Sequence, residues 1–146
     1  MTRIATILGA AIAASLTAAH AEFKAVAASE LGIGSGKYLN RDLEVPSMRC
    51  YYADVADYRC ITGPGGAFVS VFASNLTPEN LRKQVEDECD TLEKTRRSVC
   101  SFTLRINYNA DDVSKDLVSG YQQRTVVNLD KVELVARPSA SKGKRR

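Results

Sequence analysis

The sequence predicts a mainly β fold with one helix. Three observations carry this expectation. Runs of strand composition, several alternating apolar and polar residues, lie on both sides of a single helical segment. That segment, "TPENLRKQVEDECDTL", places Leu81, Val85, Cys89 and Leu92 on one helix face. Between the strand runs sit turn-forming stretches, of which "GPGG" at 63–66 is the clearest.

The elements follow in order. Residues 22–36, "EFKAVAASELGIGSG", form a lead-in, with a short strand or helical turn between Phe23 and Leu31 and then a Gly/Ser loop. Lys37 to Asp54 reads as one long strand. Leu43 and Val45 share one parity, and Met48, Cys50 and Tyr52 share the other. A strand cannot change faces without an extra residue, so a bulge belongs at Pro46-Ser47. Tyr58 to Thr62 is the second strand. Ala67 to Ala73, "AFVSVFA", is the third, apolar on both parities except at Ser70. The helix follows, with Thr77 suited to its N-cap, Pro78 to its first position and Glu79 to its positive end.

Val99 to Tyr108 alternates cleanly. Cys100, Phe102, Leu104, Ile106 and Tyr108 face inward, opposite Val99, Ser101, Thr103, Arg105 and Asn107. "NADDVSKDLVSGYQQ" reads as a polar loop. Arg124 to Ala136 is the last strand, with a parity change between Val127/Leu129 and Val132/Leu134. A second bulge near Asp130-Lys131 reconciles them.

Residues 1–21, "MTRIATILGAAIAASLTAAHA", have a basic start at Arg3, an apolar run from Ile4 to Leu16 and small residues at Ala19 and Ala21. This is the pattern of a cleaved signal peptide. The apolar run falls short of the ~18–20 residues that a spanning helix needs. The expected location is the periplasm, with extracellular release left open. Cleavage after Ala21 removes His20, the only histidine, and the chain has no tryptophan. Ser-His and Cys-His nucleophile pairs and histidine-ligated metals are thereby excluded.

The final residues, 137–146, hold Arg137, Lys142, Lys144, Arg145 and Arg146 without an acid. With nothing to bury, this basic tail is expected to be disordered. It is able to touch anionic surfaces, although a solubilising end is the ordinary reading.

Four cysteines in an exported domain imply two disulfides. Three pairings are possible, and the local ones, Cys50–Cys60 and Cys89–Cys100, are expected. Neither pair has the close spacing of a zinc site or of a Cys-x-x-Cys redox motif. If the strands around "CYYADVADYRC" pair about Val55, Cys50 faces Cys60, Tyr52 faces Tyr58 and Tyr51 faces Arg59. The cysteines are then a staple for a turn, "DVA", that lacks the residues tight hairpins prefer. Tyr52 and Tyr58 pack against each other, and Tyr51 with Arg59 forms a candidate contact surface.

Other candidate chemistry is weaker. Ser114 and Lys115 are neighbours on a polar loop, which does not make a nucleophile and its base. Glu86, Asp87, Glu88 and Asp90 read as a solvated helix face, since catalytic acids need a cleft that raises a pKa. Asn109, Asp111, Asp112 and Asp116 miss the calcium-loop spacing, and no metal or cofactor is expected. Asp111 and Asp112, with Tyr121, remain candidate binding residues because they sit on the loop between the last two strands.

The order strand, strand, strand, helix, strand, strand, with a long bulged first strand, resembles the OB-fold, a five-stranded Greek-key barrel. The likeness spans residues 37–136. "GKYLNRDLEV" at 36–45 looks like the first-strand entry of small exported bacterial OB-like domains, and "VCSFTLRI" looks like their fourth strand. The rival arrangement is an α+β roll with an antiparallel sheet and one packed helix. The resemblance implies a non-enzymatic binding or structural module. Its expected partner is another envelope protein or a glycan, rather than nucleic acid. A second expectation is a small secreted inhibitor of an enzyme such as a lysozyme, presenting "GPGG" or the 109–123 loop to a cleft.

Overall fold

A computed structural model of the chain describes residues 22–63, 68–109, 113–118 and 122–137. Most of the "GPGG" turn, the candidates Asp111, Asp112 and Tyr121, the signal segment and the tail beyond Arg137 lie outside the described residues.

The long first strand is β2, Arg41–Asp54, and it organises the molecule. Its early part pairs antiparallel with β6, Ser101–Tyr108, and its later part with β3, Asp57–Ile61. The register shifts between Val45 and Met48, where Ser47 takes a left-handed φ of 61°. Val45 and Met48 are therefore both buried although three positions apart. One strand thus serves two stretches of sheet.

The lead-in forms both a short strand and a helix. β1, Lys24–Ala25, pairs parallel to β2, and α1, Ala28–Gly34, extends through the expected Gly/Ser loop into a 3-10 turn, Ser35–Tyr38. Val26, Leu31 and Tyr38 belong to the core. The Gly32 carbonyl accepts from Lys115 Nζ and Thr125 Oγ1, both at 3.3 Å. This ties α1 to the far edge of the sheet.

β4, Val69–Ala73, lies between β3 and β8, Gln122–Leu129, antiparallel to the first and parallel to the second. The expected polar loop after β6 contains a strand, β7, Val113–Val118, which pairs antiparallel with β8. Its Val113 packs against the core, and the polar residues Ser114, Lys115 and Asp116 gave it the look of a loop. The last expected strand is two. β8 pairs with β4, and β9, Val132–Ala136, pairs with β6. Asp130 and Lys131 form the joint, because Val127 and Val132 must both reach the core from opposite parities. With the short β5, Leu76–Thr77, the chain has nine strands among its described residues in one mixed sheet, ordered β5-β9-β6-β2-β3-β4-β8-β7, with β1 beside β2. The hydrogen-bonded path is open, and β8 and β9 are joined covalently. The count of five strands is corrected by β1, β5, β7 and the split at Asp130-Lys131.

The helix, α2, is Glu79–Glu88, shorter than its sequence pattern. Thr77 is not its cap. It lies in β5, Leu76–Thr77, pairs with Glu133 and donates its hydroxyl to the Val132 carbonyl. Leu81 and Val85 enter the core. Cys89 closes the helix and is bonded to Cys100, with Cα atoms 5.9 Å apart. Leu92 lies beyond the helix and is 51% exposed.

Candidate functional site

The β2–β3 hairpin sets the geometry. Cys50 opposes Cys60, Tyr51 opposes Arg59 and Tyr52 opposes Tyr58. The Cys50–Cys60 bond joins Cα atoms 4.0 Å apart. Past Tyr52 the register shifts, so that Asp54 faces Asp57 and the turn is Val55-Ala56. Ala56 adopts φ 55°, and the Val55 N–H donates to the Asp54 side chain at 2.7 Å. The turn thus has two residues rather than the three expected. The Tyr52 and Tyr58 rings stand 5.4 Å apart, and the buried Tyr58 hydroxyl donates to Glu86. Burial, then this hydrogen bond, pushes the Tyr58 phenol up.

The opposite face carries the candidate site. Period-two alternation across four strands aligns Arg49, Ile61, Ser70 and Val126 in one rung, and Tyr51, Arg59, Phe72 and Asn128 in the next. Arg59 makes a bidentate contact with Asp57 at 2.7 and 3.1 Å and lies 5.2 Å from the Phe72 ring centre. The Asp57 hydrogen bond holds the guanidinium above its ordinary range. Arg124 on β8 pairs with Asp116 on β7 at 2.8 Å.

Two adjoining hollows indent this face. The smaller, about 190 Å³, has Tyr51, Arg59, Ser70, Phe72 and Arg124 among its walls. Ser70 Oγ and Arg124 Nε are buried without a hydrogen-bond partner among the described residues, an arrangement that costs stability unless something else meets them. The larger, about 370 Å³, lies between the sheet and the segment after α2, with Arg49, Glu93, Thr95 and Arg96 in its lining. Ile61 and Leu92 wall both hollows. That segment is held across the sheet by Arg49, whose Nη1 donates to the carbonyls of Thr95 at 2.6 Å and Arg97 at 3.4 Å.

Of the residues singled out from sequence, Tyr51 and Arg59 stand side by side in this site. Reading the sequence for chemistry missed Arg49, Ile61, Ser70, Phe72, Leu92 and Arg124. The parity of Tyr51 and Arg59 points to Arg49 and Ile61. The lone polar position in "AFVSVFA" marks Ser70. Leu92 was hidden by its apparent place on the helix.

The acidic helix residues are engaged rather than free. Glu86 meets Arg82 at 3.1 Å, Glu88 meets Arg97 at 3.2 Å and Asp90 meets Lys94 at 2.6 Å. Lys94 holds the Asp90 carboxyl below its ordinary value. Among the described residues no group of three or more His, Cys, Asp or Glu could hold a metal ion, and no helix is long and apolar enough to cross a membrane. The paired cysteines fit an oxidising, non-cytoplasmic location.

No family model and no curated protein sequence matches the chain. Among solved structures, a putative aspartyl-tRNA synthetase from Leishmania major Friedlin is similar with a TM-score of 0.42 and 10% identity. The match covers 87% of this chain and 23% of that one.

Proposed function

We propose that this chain is an exported, non-enzymatic binding module of OB-like architecture that engages a partner in the cell envelope through its β2–β3–β4–β8 face. The barrel reading is supported by the pairings. β2, β3, β4, the joined β8–β9 and β6 follow one another around the sheet, with β4 and β8 parallel and α2 placed between β4 and β6. The export reading is supported by the signal-like first residues and by the two disulfides.

The observation that carries the binding reading is the pair of hollows on one sheet face. They share Ile61 and Leu92, and two walls of the smaller one, Ser70 and Arg124, each hold a buried polar atom without a hydrogen-bond partner among the described residues. An apolar centre ringed by arginines and their carboxylates has the make-up of a protein interface. Affinity capture from the native envelope tests it. The wild-type domain should retain a partner that Tyr51→Asp and Ile61→Asp variants lose while keeping their fold. Capture unchanged by both substitutions contradicts the proposal. Inhibition of a muramidase that survives both substitutions would favour the inhibitor reading instead.

A further inference from the structure

We infer that the larger hollow is a socket for a carboxylate carried beside an apolar group, presented by a protein partner as an acidic side chain next to an aliphatic one. This rests on the reading of the face as the binding surface.

The charge balance around the hollow is uneven. Nearby cations are matched: Arg59 to Asp57, Arg124 to Asp116, Arg97 to Glu88 and Lys94 to Asp90. The two arginines of the hollow itself are not. Among the described residues, half-buried Arg49 is met by the backbone carbonyls of Thr95 and Arg97 and by no carboxylate within ion-pair distance. Exposed Arg96 has no ion pair among the described residues, and Glu93 is the one acid in the lining. A guanidinium bound on one nitrogen to carbonyls still presents other N–H groups to a planar carboxylate. Beside these cations stand the apolar walls of Ile61 and Leu92.

The occupant follows from what the hollow holds and lacks. A nucleic acid backbone needs a row of uncommitted cations, and here the surrounding ones already have partners. A sugar would be held by stacking on a ring, and among the described residues no aromatic side chain lines this hollow. A free small acid would be enclosed on most sides, whereas this hollow adjoins a second one that shares its Ile61 and Leu92 walls. A protein segment spans both, placing its carboxylate at Arg49 and Arg96 and its apolar neighbour on Leu92.

The test is an NMR titration of the exported chain with acetyl-Leu-Glu-Leu-amide, acetyl-Leu-Gln-Leu-amide, hexanoate and a short oligothymidylate. The glutamate peptide should move the Arg49 and Arg96 Nε–H and Leu92 methyl signals and bind at least about tenfold tighter than the glutamine peptide, as expected for charge-assisted hydrogen bonds. Arg96→Gln, at an exposed side chain, should remove that difference. Equal binding of the two peptides, or tighter binding of hexanoate or oligothymidylate, overturns the assignment. If the peptides do not bind while partner capture still depends on Tyr51 and Ile61, the socket assignment fails and the binding face stands. If capture ignores the face, the underlying reading fails as well.

Discussion

Replacing Cys50 and Cys60 together by alanine should cost the domain about 3–5 kcal/mol. The bonded residues are 10 positions apart, and releasing a loop of that length returns roughly 3 kcal/mol of entropy to the unfolded chain. Both side chains are in the core, 0% and 1% exposed, so each truncation adds a small void worth up to about 1 kcal/mol. The hairpin has little else to fix its register locally. Its turn is Val55-Ala56 and its ladder is already irregular between Tyr52 and Asp54. Urea unfolding followed by fluorescence or circular dichroism measures the loss. With a slope of about 1–3 kcal/mol per molar, the midpoint should fall by about 1–5 M. The cross-strand contact between the Tyr52 and Tyr58 rings should weaken in the same variant. A loss under about 1 kcal/mol, below the usual cost of deleting a native disulfide, with that contact intact, would refute the view that the bond sets the register.

Ala56→Gly should raise stability by about 1 kcal/mol in the same assay, because a Cβ is unfavourable at φ 55°; a loss would show that Ala56 does not occupy that conformation. Stability should decline as pH rises above about 10, since Tyr38, Tyr58 and Tyr108 all hold their protons more tightly in the folded chain. Below that pH the contribution is complete, and it is lost as pH climbs through the raised folded values. Tyr58→Phe should flatten the decline measured by urea midpoint from pH 8 to 12, and an unchanged slope would remove Tyr58 from the cause. Leu104→Ala, at a fully buried β6 position, should cost about 2–5 kcal/mol, and a cost near zero would place Leu104 outside the core.

The sequence exposed what depends on short-range pattern. The alternation of Phe102 through Tyr108 became β6, although Val99 and Cys100 at its expected start form a 3-10 turn, and the parity change at Pro46-Ser47 became a register shift. The symmetry about Val55 aligned Cys50 with Cys60 as far as Tyr52 and Tyr58. It broke beyond them because the Val55-Ala56 turn chose its own geometry. β7 escaped notice because Ser114, Lys115 and Asp116 are exposed on a strand at the end of the sheet path, where composition resembles a loop. Thr77 was misread because pairing with β9 overrode its capping preference. Leu92 kept helical spacing after the helix had ended at Cys89. The site was half legible, since Tyr51 and Arg59 are adjacent within one hairpin. Arg49, Ser70 and Arg124 join them only through pairings across β2, β3, β4 and β8, which no local pattern encodes.

The binding face is tested most directly by photo-crosslinking in the native host. A photoreactive residue at Tyr51 or Ile61 should trap a discrete envelope partner, and the same residue at Lys83, on the exposed side of α2, should not. A partner trapped at Lys83 and absent from Tyr51 and Ile61 would contradict the account.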